Sequence, residues 1–309
     1  MLKKLDEIVQ KENVLIVEAT NSRKLPNLLW ALILSIIILI SGGIIGNLLF
    51  KPVYNLLNSN QNLSAYKDFI LIFIQLISCI FTCMVVFFRV SVIEKRKVSS
   101  IGFYKNNALK KYIFGFFIGL LMMSSVVLIL LALGCIEVGS NTSQPTGASA
   151  LISVLIILIG WIIQGATEEI LTRGWLMNVL SAKYNVWIGL LTSSLFFSFL
   201  HLLNPSVNYI SLINIALVGF FFGLYVIKSG DLWGACAIHT AWNFAQGNIF
   251  GLQVSGISVN VGTLVDLNLV GNELITGGEF GPEAGLCATL ILIISILVLI
   301  YIPKNKFEL

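Results

Sequence analysis

The chain has 309 residues, 57% of them hydrophobic and 11% charged, with a formal net charge of +4 and a mean hydropathy of +0.93. Soluble domains carry about a quarter charged residues, so composition excludes a water-soluble enzyme and a disordered chain and leaves a polytopic membrane protein. The positive excess flanks helices without aromatic interleaving, which makes it a membrane-orientation signal rather than a nucleic-acid surface.

The first residues, MLKKLDEIVQKENVLIVEA, are too charged and too far from the first apolar run for a cleavable signal peptide. Leu2, Leu5, Ile8 and Val9 fall on one helical face, which suits a short helix on the inner leaflet, with a loosely ordered tail as the alternative. Apolar stretches follow near 28–50, 69–91, 112–136, 150–174, 186–203, 209–228, 232–250 and 284–302. Each approaches the roughly 20 residues that span a hydrocarbon core, so the expected fold is an all-α bundle of about eight transmembrane helices.

Lys and Arg set the orientation, because short cytoplasmic loops hold the positive excess. Lys3, Lys4, Lys11, Arg23 and Lys24 precede the first helix, and Lys95, Arg96, Lys97, Lys105, Lys110 and Lys111 follow the second. Arg173 with Lys183, Lys228, and Lys304 with Lys306 fall on the same side, whereas 137–149 and 251–283 contain no Lys or Arg. Both termini are therefore expected in the cytoplasm of a plasma-membrane protein; Lys51 and Lys67 alone dissent. The chain divides into a tail or interfacial helix (1–27), three helices (28–148), a core (149–250), an outward loop (251–283) and a last helix with its tail (284–309). The Gly-rich stretch 271–285, GNELITGGEFGPEAG, has no regular period and reads as an outward loop.

Cys79, Cys83, Cys135, Cys236 and Cys287 show neither CxxC pairing nor a Cys/His cluster, and read as inert buried side chains. The informative residues are ionisable. Of the 15 Asp and Glu, only Glu168 and Glu169 sit deep in an apolar run, and so do both histidines, His201 and His239. An ionisable group at membrane depth is expensive and marks function by default.

Three segments carry this chemistry. In GATEEILTR, Glu168 and Glu169 point about 100° apart on a helix, and Arg173 follows Glu169 by four residues, the spacing of a helix-face ion pair. Glu169–Arg173 would then be a clamp and Glu168 the reactive group, although the spacing also allows Arg173 to approach Glu168. The second segment is FSFLH, ending at His201. The third is HTAWN, in which His239 and Asn243 share a face one turn apart and bring the donors and acceptor that an oxyanion and an attacking water require. At 1.5 Å per residue, Glu168 and His201 each lie roughly 22 Å from the turn at 183–185. His239 lies about 12 Å from the turn at 229–231, so that turn is sunk or its helix is tilted.

The ordered set EExxxR at Glu168 to Arg173, FxxxH at Phe197 to His201 and HxxxN at His239 to Asn243 resembles the CAAX protease and bacteriocin-processing family of intramembrane endopeptidases, of the Abi type. The resemblance covers about residues 165–245 and makes 149–250 the catalytic core. It implies glutamate-dependent hydrolysis of a peptide or protein substrate in or at the bilayer, prenylated, CAAX-like or bacteriocin-type, with no cofactor. Carried over, Glu168 is the general base, His201 its partner, and His239 with Asn243 the oxyanion site, supported by Glu169, Arg173 and Phe197. The site is expected within the bilayer, open to the cytoplasmic side.

Other readings compete. A zinc metalloprotease would use His201, His239 and Glu168, a two-His, one-carboxylate set, without an HExxH. A non-proteolytic bacteriocin-immunity or scaffold protein would tolerate alanine at Glu168 or His201, whereas a protease would not. A transporter would use the same groups as proton relays, but the sequence lacks repeat symmetry.

Overall fold

A computed structural model describes residues 2–9, 13–139 and 144–303. Lys11, Lys304 and Lys306, used above for orientation, and the side chains of Leu2 and Lys3 lie outside the described set. The chain forms α1 (Leu2–Ile8), α2 (Val14–Thr20), α3 (Leu28–Ser59), α4 (Lys67–Ser78), α5 (Ile80–Phe88), α6 (Ala108–Ala132), α7 (Leu151–Glu169), α8 (Asn178–Lys183), α9 (Val186–Leu200), α10 (Tyr209–Ser229), α11 (Trp233–Phe244), α12 (Glu273–Thr276) and α13 (Leu286–Tyr301). One short antiparallel pair, β1 (Ile136–Val138) with β2 (Leu267–Leu269), joins the two long loops.

The molecule is a polytopic helical bundle, and every expected apolar segment is helical. Five runs, Leu28–Ser59, Gln61–Ile93, Ala108–Ala132, Gly147–Lys183 and Tyr209–Ser229, are long and apolar enough to cross a membrane, and α9 and α13 are shorter apolar helices. Outward side chains such as Ile40 and Leu48 of α3 or Ile152 and Leu155 of α7 are exposed, as a lipid-facing surface requires.

Two boundaries differ from expectation for physical reasons. α3 continues through Lys51 and Pro52 and ends where Asn60 N–H bonds Leu56 O. The fourth segment, expected to stop at 174, runs on through a π-helical stretch, Ile170–Met177, into α8. Hydropathy falls at Arg173 because a buried ion pair sits there, not because the chain leaves the bundle. The N-terminal segment also differs: Leu5, Leu15 and Ile16 are buried, α1 packs beside α10 and α13, and α2 lies on α8.

α11 forms the centre, with residues 234–244 all buried, the mark of a helix surrounded by others. Small residues bring its neighbours close. Gly115 of α6 lies against the Gly234 backbone, Gly119 against Ile238 O, and a Cβ on Gly165 of α7 would stand 2.9 Å from Thr240 N. Such contacts suit helices that pack in lipid without a hydrophobic drive. The turn before α11 is sunk into the bundle: Asp231 and Leu232 are buried, Leu232 N–H donates to Gly102 O, and Lys111 Nζ lies 2.6 Å from Asp231. That depth brings His239 level with Glu168 and His201.

Candidate active site

Glu168 and Glu169 close α7 just before the π-helical stretch, a feature that recurs at functional sites. Glu169 is fully buried; Arg173 Nη1 donates to its Oε1 at 2.9 Å and His239 Nδ1 lies 3.1 Å from the same oxygen. Arg173, equally buried, also donates to Thr172 Oγ1 at 2.7 Å, and its guanidinium lies 4.4 Å from the Phe197 ring centroid and 5.5 Å from that of Phe222. Glu168 is different: its side chain retains 29% exposure and faces a cavity of about 370 Å³.

His239 stands between the two carboxylates. Nε2 is 3.5 Å from Glu168 Oε2, while the ring stacks on Phe222 at 5.2 Å and meets Phe197 edge-on at 6.0 Å. His201 caps the end of α9, and its Nδ1 lies 2.8 Å from Phe197 O. A carbonyl only accepts, so Nδ1 carries the hydrogen and Nε2 is left as the acceptor. Phe197 thus positions one histidine through its backbone and packs against both.

Asn243 lies one turn beyond His239, but its Nδ2 donates to Gln164 Oε1 at 2.9 Å, and Gln164 Nε2 in turn donates to Glu168 Oε1 at 2.7 Å. Gln164 therefore links Asn243 to Glu168. The motif reading passed over this residue, although an amide four residues before Glu168 in an apolar run was a legible signal.

A second unforeseen group comes from the loop read as merely outward. Val254 and Ile257 pair through N–H···O bonds of 3.0 and 2.9 Å around Ser255 and Gly256, both at positive φ (51° and 79°), a type I′ hairpin tip. A Cβ on Gly256 would overlap Pro205 O. Glu283 holds this tip: its carboxylate accepts from Ser255 N–H, from Ser255 Oγ at 2.8 Å and from Trp242 Nε1 at 3.4 Å. Asn204, three residues after His201, donates to Ser255 O at 3.0 Å. Burial pushes the Glu283 carboxyl up, opposed by the Ser255 donors, His201 and Trp242.

The cavity brings together Glu168, His201, His239, Asn243 and Phe197, with Gln164, Ser255 and Glu283; Glu169 and Arg173 lie behind it. Residues 170–181 and 221–228 are buried, which closes the cavity toward the Lys183 turn. Its other boundary is the hairpin tip and the turn after His201, with Leu39, Ile72 and Cys79 along one flank. Among the described residues, no group of three or more His, Cys, Asp or Glu is placed to hold a metal ion.

Residues 150–245 match the family model Rce1-like, described as type II CAAX prenyl endopeptidase Rce1-like. No curated protein and no solved structure matches the chain.

Proposed function

We propose, from the match of residues 150–245 to the Rce1-like type II CAAX prenyl endopeptidase model, that this chain is an intramembrane endopeptidase that hydrolyses a membrane-associated peptide substrate with water activated by Glu168. The observation that carries this reading is the partly exposed Glu168 carboxylate, oriented by Gln164 and facing the same cavity as His201, His239 and Asn243.

Glu168 takes a proton from water as the water oxygen bonds the scissile carbonyl carbon. The His201 Nε2 acceptor faces the same cavity and orients that water. The oxyanion is met by Asn243, whose amide has a second N–H beyond the one given to Gln164, and by His239. Because His239 Nδ1–H is directed at Glu169, an Nε2–H donor requires the doubly protonated ring, balanced by the carboxylates on either side. The C–N bond then breaks, the proton passes from Glu168 to the leaving amine, and a carboxylate and an amine are released. Each oxyanion donor in such a site supplies about 3 kcal/mol of barrier lowering. Arg173 pairs with Glu169 and holds it in place rather than acting on substrate.

The reading is metal-free. Glu168→Gln should lower kcat at least about a hundredfold, the scale of general-base catalysis, with unchanged thermal unfolding and unchanged peptide binding. Exhaustive chelation should leave the wild-type rate intact. Unaltered cleavage by Glu168→Gln would exclude the mechanism; loss on chelation with rescue by zinc would replace it with a metalloprotease. Retained biological activity in Glu168→Ala and His201→Ala would favour an immunity or scaffold role.

A further inference from the structure

Glu94 is a fully buried carboxylate that the chemistry above leaves unused. It follows a short π-helical stretch, Arg89–Ile93, and its own N–H closes that stretch on Arg89 O at 3.0 Å. Arg96 Nε donates to Glu94 Oε2 at 2.8 Å, and Arg89 Nε lies 3.3 Å from Oε1. The same Oε1 accepts from Trp175 Nε1 at 2.7 Å, while the Arg89 guanidinium lies 4.9 Å from the Trp175 ring. Trp175 has no exposure and belongs to the π-helical stretch Ile170–Met177, two residues after Arg173. One carboxylate thus clips two π-helical stretches together.

A π turn closes i→i+5 bonds and so advances each residue by less than the 100° of an α turn. Were 170–177 to tighten into an α-helix, Arg173 would rotate about the axis relative to Glu168 and Glu169. The bond from Trp175 to a charged acceptor opposes that rotation, and such bonds are roughly twice as strong as neutral ones. Gly174 adds a close approach, since a Cβ there would stand 3.2 Å from Ile101 O. The other side of the glutamate pair is held too: Thr167 Oγ1 lies 3.2 Å from Cys79 O and 3.1 Å from Cys83 Sγ. Thr167 and Trp175 therefore bracket the pair, and the groups that anchor them come from 79–94, outside the matched residues 150–245.

Resting on the proteolytic reading above, we propose that Glu94 is a positioning residue for the reaction. Through Trp175 it fixes the π-helical register that directs Arg173 to Glu169 and leaves Glu168 facing the cavity. Glu94 does not line the cavity, so it acts through the chain at 170–177 and not on substrate.

The test uses the full-length protein in nanodiscs and a peptide that the wild type cleaves, drawn from a degenerate library. Glu94→Gln and Trp175→Phe, which keeps a ring beneath Arg89 but lacks the N–H, should each lower kcat at least about tenfold, because small misplacements near reacting groups are costly. KM should stay within about twofold of wild type. In an Arg173→Lys background, Glu94→Gln should lower kcat by less than about threefold further, because both changes loosen one arrangement. Hydrogen exchange of the 170–177 amides in Trp175→Phe should quicken about tenfold while that of α6 stays unchanged. Unchanged kcat in either folded variant, a loss carried by KM, full multiplication in the Arg173→Lys background, or unaltered exchange at 170–177 overturns the proposal. A wild type that cleaves no member of the library sinks the proteolytic reading instead, and the exchange of 170–177 in Trp175→Phe still decides whether the clip holds the register.

Discussion

Replacing Arg173 by Met removes the cation that balances a fully buried Glu169. Both side chains have 0% exposure and their charged atoms meet at 2.9 Å, so solvent screening does not soften the loss. Breaking a buried pair from one side costs about 3–5 kcal/mol, because the remaining charge is stranded. Here Glu169 keeps one further contact, His239 Nδ1 at 3.1 Å, which argues for the lower half of that range. The lost guanidinium contacts with Phe197 and Phe222 add about 0.5–1 kcal/mol each. The double variant Glu169→Gln/Arg173→Met removes both charges at once and should cost clearly less than Arg173→Met alone. Arg173→Lys should fall between, because an ammonium cannot reproduce the planar contacts. Equilibrium unfolding in detergent of the wild type, Glu169→Gln, Arg173→Met and the double variant, followed by tryptophan fluorescence, gives the four free energies of the cycle. If Arg173→Met costs under about 1 kcal/mol, the range of an exposed pair, or if the double variant costs the sum of the singles, the clamp reading is wrong.

Gln164→Leu should lower kcat about tenfold while thermal unfolding stays close to wild type, because it frees Glu168 and Asn243 without removing either; steady-state kinetics checks this. Gly119→Leu should shift α11 away from α6 and abolish activity while costing about 1–3 kcal/mol of stability, the scale of overpacking, read by unfolding and activity together. Burial holds the Glu283 carboxyl above its ordinary value, so its contribution to stability is full below the usual carboxylate range and falls as the pH rises above it. Thermal unfolding from about pH 4 to about pH 7 should show that fall in the wild type and a flatter profile in Glu283→Gln.

The bundle was legible because lipid imposes a strong rule: each apolar run long enough to span is helical, and each proved so. Glu168, His201 and His239 were legible for the complementary reason, since ionisable side chains deep in such runs need a purpose. Which glutamate takes Arg173 was not, because periodicity near 3.6 allows both answers. Gln164 and Glu283 escaped for different reasons. Gln164 was legible as an amide one turn before Glu168, but it belongs to none of the three motifs and carries no charge to single it out. Glu283 stands 40 residues after Asn243, in a Gly-rich run without periodicity, and its position follows from three-dimensional contacts with Ser255 and Trp242 alone.

The hairpin tip at Ser255–Gly256 closes one side of the hollow, yet it comes from beyond the stretch that carries the reacting groups. Under the proposed mechanism, the reacting groups and this wall of the hollow are written in separate parts of the gene. Exchange of a dozen codons around that tip is then expected to reshape what fits the hollow while leaving Glu168, His201, His239 and Asn243 as they are.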